Sequence, residues 1–150
     1  MNTPKKARAI GLNHVALEVG NIDEALEFYG SFLEFELRSR SADAAFIDLG
    51  DQFINFSSGR RQGPDEERHF GLVVDNRQLV AEALRRMGVK MLPGPFMDFL
   101  DPWGNRVEII DYVGIQFTKA PNVLKGMGLA GLEKTEEAVR ELTEKGMAPE

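Results

Sequence analysis

The stretch "HVALEV", residues 14–19, is closely matched further along the chain by "HFGLVV", residues 69–74. Each begins with a histidine and continues as an alternating apolar run that is typical of a β-strand. Each is followed by a segment in which apolar residues recur at helical spacing. His14 and His69 are the two histidines of the 150-residue chain. The repetition indicates that one arrangement of strands and helix is built twice.

Three strand-like stretches follow the predicted helix in each half of the chain. They are "LEFELRS", "AAFIDL" and "QFINFSS" in the first half, and "VKML", "PFMDFL" and "NRVEIID" in the second. Asn21 or Asp23 is expected to cap the first helix, and Asp75 or Asn76 the second, because short polar side chains accept the free N–H groups. Both halves therefore predict a βαβββ module. The expected fold is α+β, with the two modules forming a curved mixed sheet around a cup.

The predicted organisation has five parts: a flexible N-terminus at 1–9, a first module at 10–58, a linker at 59–68, a second module at 69–112 and a C-terminal extension at 113–150. The linker is rich in charge, Gly and Pro, which predicts exposure. The extension is expected to hold a helix at about residues 136–145, capped by Thr135. Its narrow apolar stripe suggests packing on the outside of the domain or on a partner subunit.

Composition excludes several classes of function. The formal charge of −6 argues against a protein that binds duplex nucleic acid, because such proteins need a basic face. The chain has no cysteine, so disulfides, thiolate metal sites and thiol nucleophiles are excluded. No apolar run is long enough to cross a bilayer. We expect a soluble protein in the cytoplasm.

His14 and His69 are expected on the face of the sheet that points away from the helices. In the closing strand, Val107 and Ile109 take the buried row, which leaves Glu108 on the same face as His69. Two imidazoles and a carboxylate suit a divalent metal such as Fe(II), Mn, Zn or Ni, and open coordination positions would accept two substrate oxygens. The alternatives are hydrogen-bonded or surface histidines and an exposed strand acid.

These segments resemble the vicinal oxygen chelate superfamily, which includes glyoxalase I, extradiol dioxygenases, methylmalonyl-CoA epimerase, and fosfomycin and bleomycin resistance proteins. The resemblance rests on "NHVALEV", "RHFGLVV" and "FLDPWGNRVEIID", and it covers about residues 10–112. By motif position it implies that His14, His69 and Glu108 are the metal ligands. It also implies a small-molecule substrate with adjacent oxygens and a homodimer, with modules paired within or between chains.

One position departs from the four-ligand members of that family. They place another Glu, Gln or His on the last strand of the first module. Asn55 takes this position if Ile54 packs against the helix, and a shifted register would place Ile54 there instead. Asn55 is either a fourth ligand or a hydrogen-bonding neighbour of the ligands. Without a glutamate here, proton abstraction would depend on Glu108, or on Glu18, whose alternative is a solvated surface acid.

Arg106 and Tyr112 are candidates for substrate binding. Arg106 shares the face of Glu108 and suits a carboxylate or phosphate, with a surface salt bridge as the alternative. Tyr112 or an acid would have to replace the additional histidine used by extradiol dioxygenases. The sequence therefore predicts a metal-dependent enzyme of the glyoxalase/dioxygenase type, acting by proton transfer, as an isomerase or lyase, or by oxygenation. The rival prediction is a metal-free, bleomycin-resistance-like binding protein.

Overall fold

The computed structural model describes residues 2–149. Its first sheet contains β1 (His14–Glu18), β2 (Glu36–Arg40), β3 (Ala44–Asp48) and β4 (Phe53–Ser57), in the order β1-β4-β3-β2. Strands β1 and β4 are parallel, and the other pairs are antiparallel. Helix α1 (Ile22–Gly30) connects β1 to β2. Asn21 caps this helix by accepting a 2.9 Å hydrogen bond from the Glu24 N–H.

The second sheet repeats the same plan with one strand fewer. It contains β5 (Phe70–Val74), β6 (Asp98–Leu100) and β7 (Arg106–Asp111), in the order β5-β7-β6. Strands β5 and β7 are parallel, as β1 and β4 are in the first sheet. Helix α2 (Arg77–Arg86) follows β5 and is capped by Asn76. The predicted α+β fold with two related modules is confirmed.

The predicted strand "VKML" is wrong, because residues 89–92 form no strand. One backbone hydrogen bond joins this segment to β6, from the Leu92 N–H to the Asp98 carbonyl at 2.8 Å. The chain then continues as Pro93-Gly94-Pro95, and the two prolines have no N–H to donate to a sheet. The same prolines shorten the predicted strand "PFMDFL" to the three residues of β6.

The two modules share one hydrophobic core. Phe28 and Phe32, on and after α1, contact Phe99 of β6, with ring centroids 6.3 Å and 5.7 Å apart. Phe99 is fully buried. Burying an aromatic side chain of this size stabilises the fold by about 1.5–3 kcal/mol, so these contacts hold the modules of one chain together.

The linker at 59–68 has no helix or strand, but it is not simply exposed. The side chain of Arg60 is only 5% exposed and lies 3.5 Å from Asp65. Its guanidinium also donates to the Asn105 side chain and, at 2.8 Å, to the Gly63 carbonyl. The prediction of an exposed linker is therefore wrong for Arg60, because a buried cation needs these partners.

Asp101 is the centre of a buried hydrogen-bond network next to this linker. Its carboxylate accepts from the Tyr29 hydroxyl at 2.8 Å, from the Trp103 N–H at 3.0 Å, and from the N–H and side-chain amide of Asn105, both at 2.8 Å. Burial and the neighbouring Asp101 carboxylate raise the pKa of Tyr29, which therefore stays a hydrogen-bond donor. The network joins the "DPWGN" turn of the second module to α1 of the first.

The C-terminal extension contacts the β3–β4 turn of the first module and Tyr112 at the end of the second. It contains a 3₁₀ turn (Tyr112–Gly114) and helices α3 (Pro121–Gly126) and α4 (Glu136–Glu144). The predicted C-terminal helix is α4, and Thr135 caps it at 3.2 Å from the Ala138 N–H. The sequence analysis did not predict α3, which packs against the β3–β4 turn at Gly50. Within residues 2–149, no helix has the length and apolar character needed to span a membrane.

Lys134 fastens the extension to the end of the second module. Its ammonium donates to the carbonyl oxygens of Tyr112, at 2.6 Å, and Phe117, and it lies 3.5 Å from the centre of the Tyr112 ring. Burial lowers the pKa of Lys134 to about 8, whereas the two carbonyls and the ring favour its charged form. The contact fixes the path of the chain between the 3₁₀ turn and α4.

Candidate functional site

The two sheets place their candidate residues at equivalent positions. Ala16 of β1 pairs with Asn55 of β4, and Gly71 of β5 pairs with Glu108 of β7. The neighbours of Asn55 and of Glu108 in their strands are buried, so both side chains point to the opposite face. We call this the open face of each sheet. It carries His14, Phe46, Phe53 and Asn55 in the first module and Glu108 in the second.

His69 and Glu108 lie side by side. His69 immediately precedes β5, and its Nε2 lies 3.6 Å from Glu108 Oε2. Both side chains reach solvent, at 44% and 21% exposure. The separation is too long for a hydrogen bond. It fits two ligands of one ion, because donors about 2.1 Å from a tetrahedral metal are about 3.4 Å apart.

Hydrogen bonds set the same tautomer for both histidines. His69 Nδ1 lies 2.8 Å from the Glu67 carbonyl oxygen, which can only accept. His14 Nδ1 lies 2.8 Å from the Asn13 side-chain oxygen. Each ring therefore donates through Nδ1 and keeps its Nε2 lone pair free in the neutral state. This arrangement is usual for metal-binding histidines, whose other nitrogen is held by an oxygen.

The imidazole of His14 is also held by an aromatic neighbour. It stacks on Phe53, the residue opposite it in β4, with ring centroids 4.7 Å apart and planes inclined by 8°. The histidine is nevertheless exposed, because β1 is an edge strand of its sheet. Its orientation is therefore fixed while its Nε2 stays accessible to a ligand or to another chain.

A single chain does not assemble the three predicted ligands. Across residues 2–149, no group of three His, Cys, Asp or Glu side chains is close enough to hold a metal ion. His69 and Glu108 form a pair, and His14 does not join it. The expected convergence is therefore not made within one chain, and pairing between chains stays a prediction.

Asn55 is in the register that places it on the open face. Ile54 and Phe56 are buried against α1, and the shifted alternative, with Ile54 on the open face, is wrong. The side-chain oxygen of Asn55 is buried and accepts no hydrogen bond from any described residue. A buried acceptor without a donor is uncommon and costly, so this oxygen suits a ligand or a metal ion.

Glu18 lies at the far end of β1 from His14. The two residues are four positions apart, which corresponds to about 13 Å along a strand. Its carboxylate accepts a 3.0 Å hydrogen bond from the Gln62 side chain. This placement favours the alternative of a surface acid, and a role for Glu18 as a base stays a prediction.

Arg106 and Tyr112 are both engaged within the chain. The Arg106 guanidinium pairs with the buried Asp98, with its Nε 2.7 Å from Asp98 Oδ2, and also donates to the Glu66 carbonyl. Tyr112 is buried under the C-terminal extension, and its hydroxyl accepts from the Lys119 N–H at 3.3 Å. Substrate binding by either residue stays a prediction. It would require the substrate to bind while these contacts are kept or replaced.

Arg38 of β2, which was not among the predicted ligands or substrate-binding residues, lies next to Phe53 on the open face. Its guanidinium carbon is 5.4 Å from the centre of the Phe53 ring. It lines a recess of about 460 Å³ together with Asn13, Ser39, Phe46 and Phe53. The sequence left the register of Arg38 uncertain, because the pairing between β2 and β3 shifts between Leu37 and Ser39.

Comparison with known proteins defines the family. Residues 11–109 match the Glyoxalase/Bleomycin resistance protein/Dioxygenase superfamily, and the chain belongs to this family. The C-terminal extension lies outside the matched region.

Solved structures share the fold at low sequence identity. A glyoxalase family protein from Bacillus anthracis is 20% identical, with a TM-score of 0.59, and the match covers 71% of this chain and 98% of that one. The fosfomycin resistance protein FosX from Listeria monocytogenes is 18% identical, with a TM-score of 0.60, over 69% and 94% of the two chains. A variant of that FosX, solved with Mn(II) and 1S,2S-dihydroxypropylphosphonic acid, is 20% identical, with a TM-score of 0.57, over 66% and 89%.

Proposed function

We propose that this protein is a divalent-metal-dependent enzyme that chelates a small substrate through adjacent oxygens, with His14, His69 and Glu108 as metal ligands. The observation that carries the proposal is the 3.6 Å separation of His69 Nε2 and Glu108 Oε2, with His69 Nδ1 held by a carbonyl. The Mn(II) complex of a FosX variant supports metal binding on this fold. Fe, Mn, Zn and Ni all suit two imidazoles and a carboxylate.

We infer further that the site is completed between two copies of the chain. His69 and Glu108 supply two ligands, and the exposed edge strand β1 presents His14 to a neighbouring molecule. A two-fold symmetric homodimer would form two such sites, each with His14 from one copy and the other two ligands from its partner.

The residues of this chain define which chemistry the site supports. When bound, the ion would stabilise negative charge that develops on two adjacent substrate oxygens. Glu108 is the one carboxylate that the proposed ligand set contains, and it would accept the proton in an isomerase or lyase reaction. Asn55 occupies the matching position in the first sheet and cannot accept a proton, so it would orient the substrate or the ion. Oxygenation is the other reaction that this ligand set supports.

Metal analysis of the purified protein tests the proposal. Protein prepared without chelators, or loaded afterwards, is expected to hold about one ion per chain. His14→Ala, His69→Ala and Glu108→Gln should each lower this content. Absence of stoichiometric binding by the unaltered protein would overturn the proposal in favour of a metal-free binding protein. Oxygen uptake by the Fe(II)-loaded protein with catechols would separate oxygenation from proton transfer.

Mixing variants tests whether the site forms between chains. In a heterodimer of His14→Ala and His69→Ala chains, isolated through a different affinity tag on each chain, one site regains all three ligands, and about half of the metal binding of the wild-type dimer should return. Each variant alone should bind no metal at the metal concentration used for the heterodimer. A dimer of wild-type chains with His14→Ala/His69→Ala chains is the control, because both of its sites lack a ligand. No recovery in the isolated His14→Ala and His69→Ala heterodimer would contradict pairing between chains.

A further inference from the structure

We propose that the recess lined by Arg38, Phe46 and Phe53 binds an oxyanion of the substrate through Arg38, so that the substrate is a flat apolar molecule with a carboxylate or phosphate-type group at one end. The inference rests on the proposed function for the position of the chelating oxygens at the other end. Arg38, Phe46 and Phe53 define the chemistry of the recess.

A β-bulge places Arg38 in this recess. Leu37 pairs with Ile47 and Ser39 pairs with Phe46, so the register between β2 and β3 shifts at Arg38. The bulge gives two consecutive residues, Arg38 and Ser39, access to the same recess. Bulges commonly redirect a side chain next to a functional site.

Arg38 differs from its neighbour Arg40 in its ion pairing. Arg40 pairs with Asp23 at 2.7 Å, whereas Arg38 forms no ion pair within residues 2–149. Asp48 lies opposite Phe53 on the same face and is not ion-paired with Arg38. An arginine held over an aromatic ring with its donors free is suited to bind a carboxylate or phosphate in a bidentate manner.

The walls of the recess define the rest of the ligand. The ring centroids of Phe46 and Phe53 are 5.8 Å apart, and the two rings supply an apolar surface for a flat group. Phe53 lies between Arg38 and His14. The centre of its ring is 5.4 Å from Arg38 Cζ and 4.7 Å from the centre of the His14 ring, on which it stacks. A substrate that reaches from Arg38 to an ion at His14 therefore extends along one aromatic ring.

Binding of small probes to metal-free protein tests this inference. By calorimetry, 3,4-dihydroxybenzoate is expected to bind about tenfold more tightly than its neutral amide, 3,4-dihydroxybenzamide, because a hydrogen bond to a charged group is involved. Arg38→Met should remove this preference, and Arg38→Lys should retain part of it. Arg40→Met is the matched control and should leave the preference unchanged. Circular dichroism should be used to check that each variant is folded.

Two further arms make the outcome decisive. Benzoate and phenylphosphonate distinguish a carboxylate from a phosphate-type anion, and a preference for either over neutral benzamide supports the inference. Equal binding of acid and amide, unchanged binding by Arg38→Met, or no saturable binding of either anion would overturn it. Metal content of Arg38→Met is measured in parallel and should equal that of the wild type. Absence of metal binding by the unaltered protein would overturn the proposed function, and it would leave the anion preference, which is measured on metal-free protein, as a separate result.

Discussion

Asn55 of β4 occupies the position in the first sheet that Glu108 of β7 occupies in the second. Each pairs with a small residue of the neighbouring parallel strand, Ala16 in one case and Gly71 in the other. Each is flanked by buried residues and faces the open side of its sheet. The two modules therefore present an amide and a carboxylate at positions related by the repeat, and this difference in charge leads to the first prediction.

Asn55→Glu is expected to tighten divalent metal binding by about tenfold or more, because a carboxylate is a stronger ligand than an amide. Without metal the variant should be less stable than the wild type, since it brings a charge close to a buried, unpaired position. Added metal should restore its stability. Calorimetric titration and thermal unfolding with and without metal measure both effects.

Asn55→Gln is the matched control, because it lengthens the side chain by the same amount and stays neutral. It should not tighten metal binding, and added metal should stabilise it no more than the wild type. If the glutamate and glutamine variants behave alike, Asn55 does not lie next to the ion.

The apolar alternation of the strands was sufficient to predict the face of Glu108 and to reduce the first-module position to Asn55 or Ile54. Alternation is a local property, and it left one register open for Glu108 and two for Asn55, of which the structure has the one that buries Ile54. Capping was equally local, since Asn21, Asn76 and Thr135 each accept an N–H within three residues. Features that depend on neighbouring sequence alone were therefore predicted well.

The features that could not be predicted depend on distant partners. Arg60 reads as an exposed linker residue, and its burial requires Asn105, which lies 45 residues away. Arg38 acquires its place through a bulge between two strands. The separation of His14 from His69 depends on how the modules pack. Local sequence patterns do not show which surface of a module packs against another module, whether that module belongs to the same chain or to a second chain.

Tyr29→Phe is expected to destabilise the protein by about 1.5–3 kcal/mol, because the hydroxyl donates to the buried Asp101 carboxylate at 2.8 Å. The loss should be measured by chemical denaturation. The deletion removes one oxygen and leaves the buried ring in place, so cavity formation contributes little.

Tyr112→Phe is the control for this measurement. Its hydroxyl accepts one backbone hydrogen bond, from Lys119 at 3.3 Å, so the loss should be smaller, about 0.5–1.5 kcal/mol. A larger effect at Tyr112 than at Tyr29 would contradict the assignment of Asp101 as the centre of the network.

Lys119→Met is expected to raise the pKa of Asp51 towards its ordinary value. The hydrogen bond from the Lys119 ammonium lowers the pKa of this carboxyl in the folded protein. The pair therefore contributes stability above the ordinary carboxyl pKa and loses it as the pH falls through the lowered value. Carbon-detected NMR titration of the Asp51 carboxyl measures the shift directly. The contribution to stability is small, since Asp51 is 56% exposed.

Lys125→Met provides the comparison for this titration. Lys125 lies in α3 and forms no ion pair with any residue of the described part of the chain, so its removal should leave the Asp51 titration unchanged. An equal shift in both variants would indicate a general charge effect rather than the contact with Lys119.

Gly50→Ala is expected to disturb the docking of α3 on the first module. Gly50 has φ +76°, and an added Cβ would lie 2.5 Å from Met127 Sδ and 3.2 Å from Val123 Cγ1. Two costs therefore add: backbone strain of about 1–2 kcal/mol, and displacement of the extension. Unfolding free energy measures their sum, and hydrogen exchange of the α3 amides reports the displacement.

Gly88→Ala separates these two costs. Gly88 has the same φ of +76°, but an added Cβ would meet no atom within 4 Å. Its alanine variant should therefore show the backbone strain alone, with unchanged exchange in α3. Met127→Ala in the Gly50→Ala background removes the sulfur that clashes, and a favourable coupling energy is expected between these two substitutions. Equal losses for the two glycine variants, without coupling to Met127, would mean that the extension does not rest on the β3–β4 turn in solution.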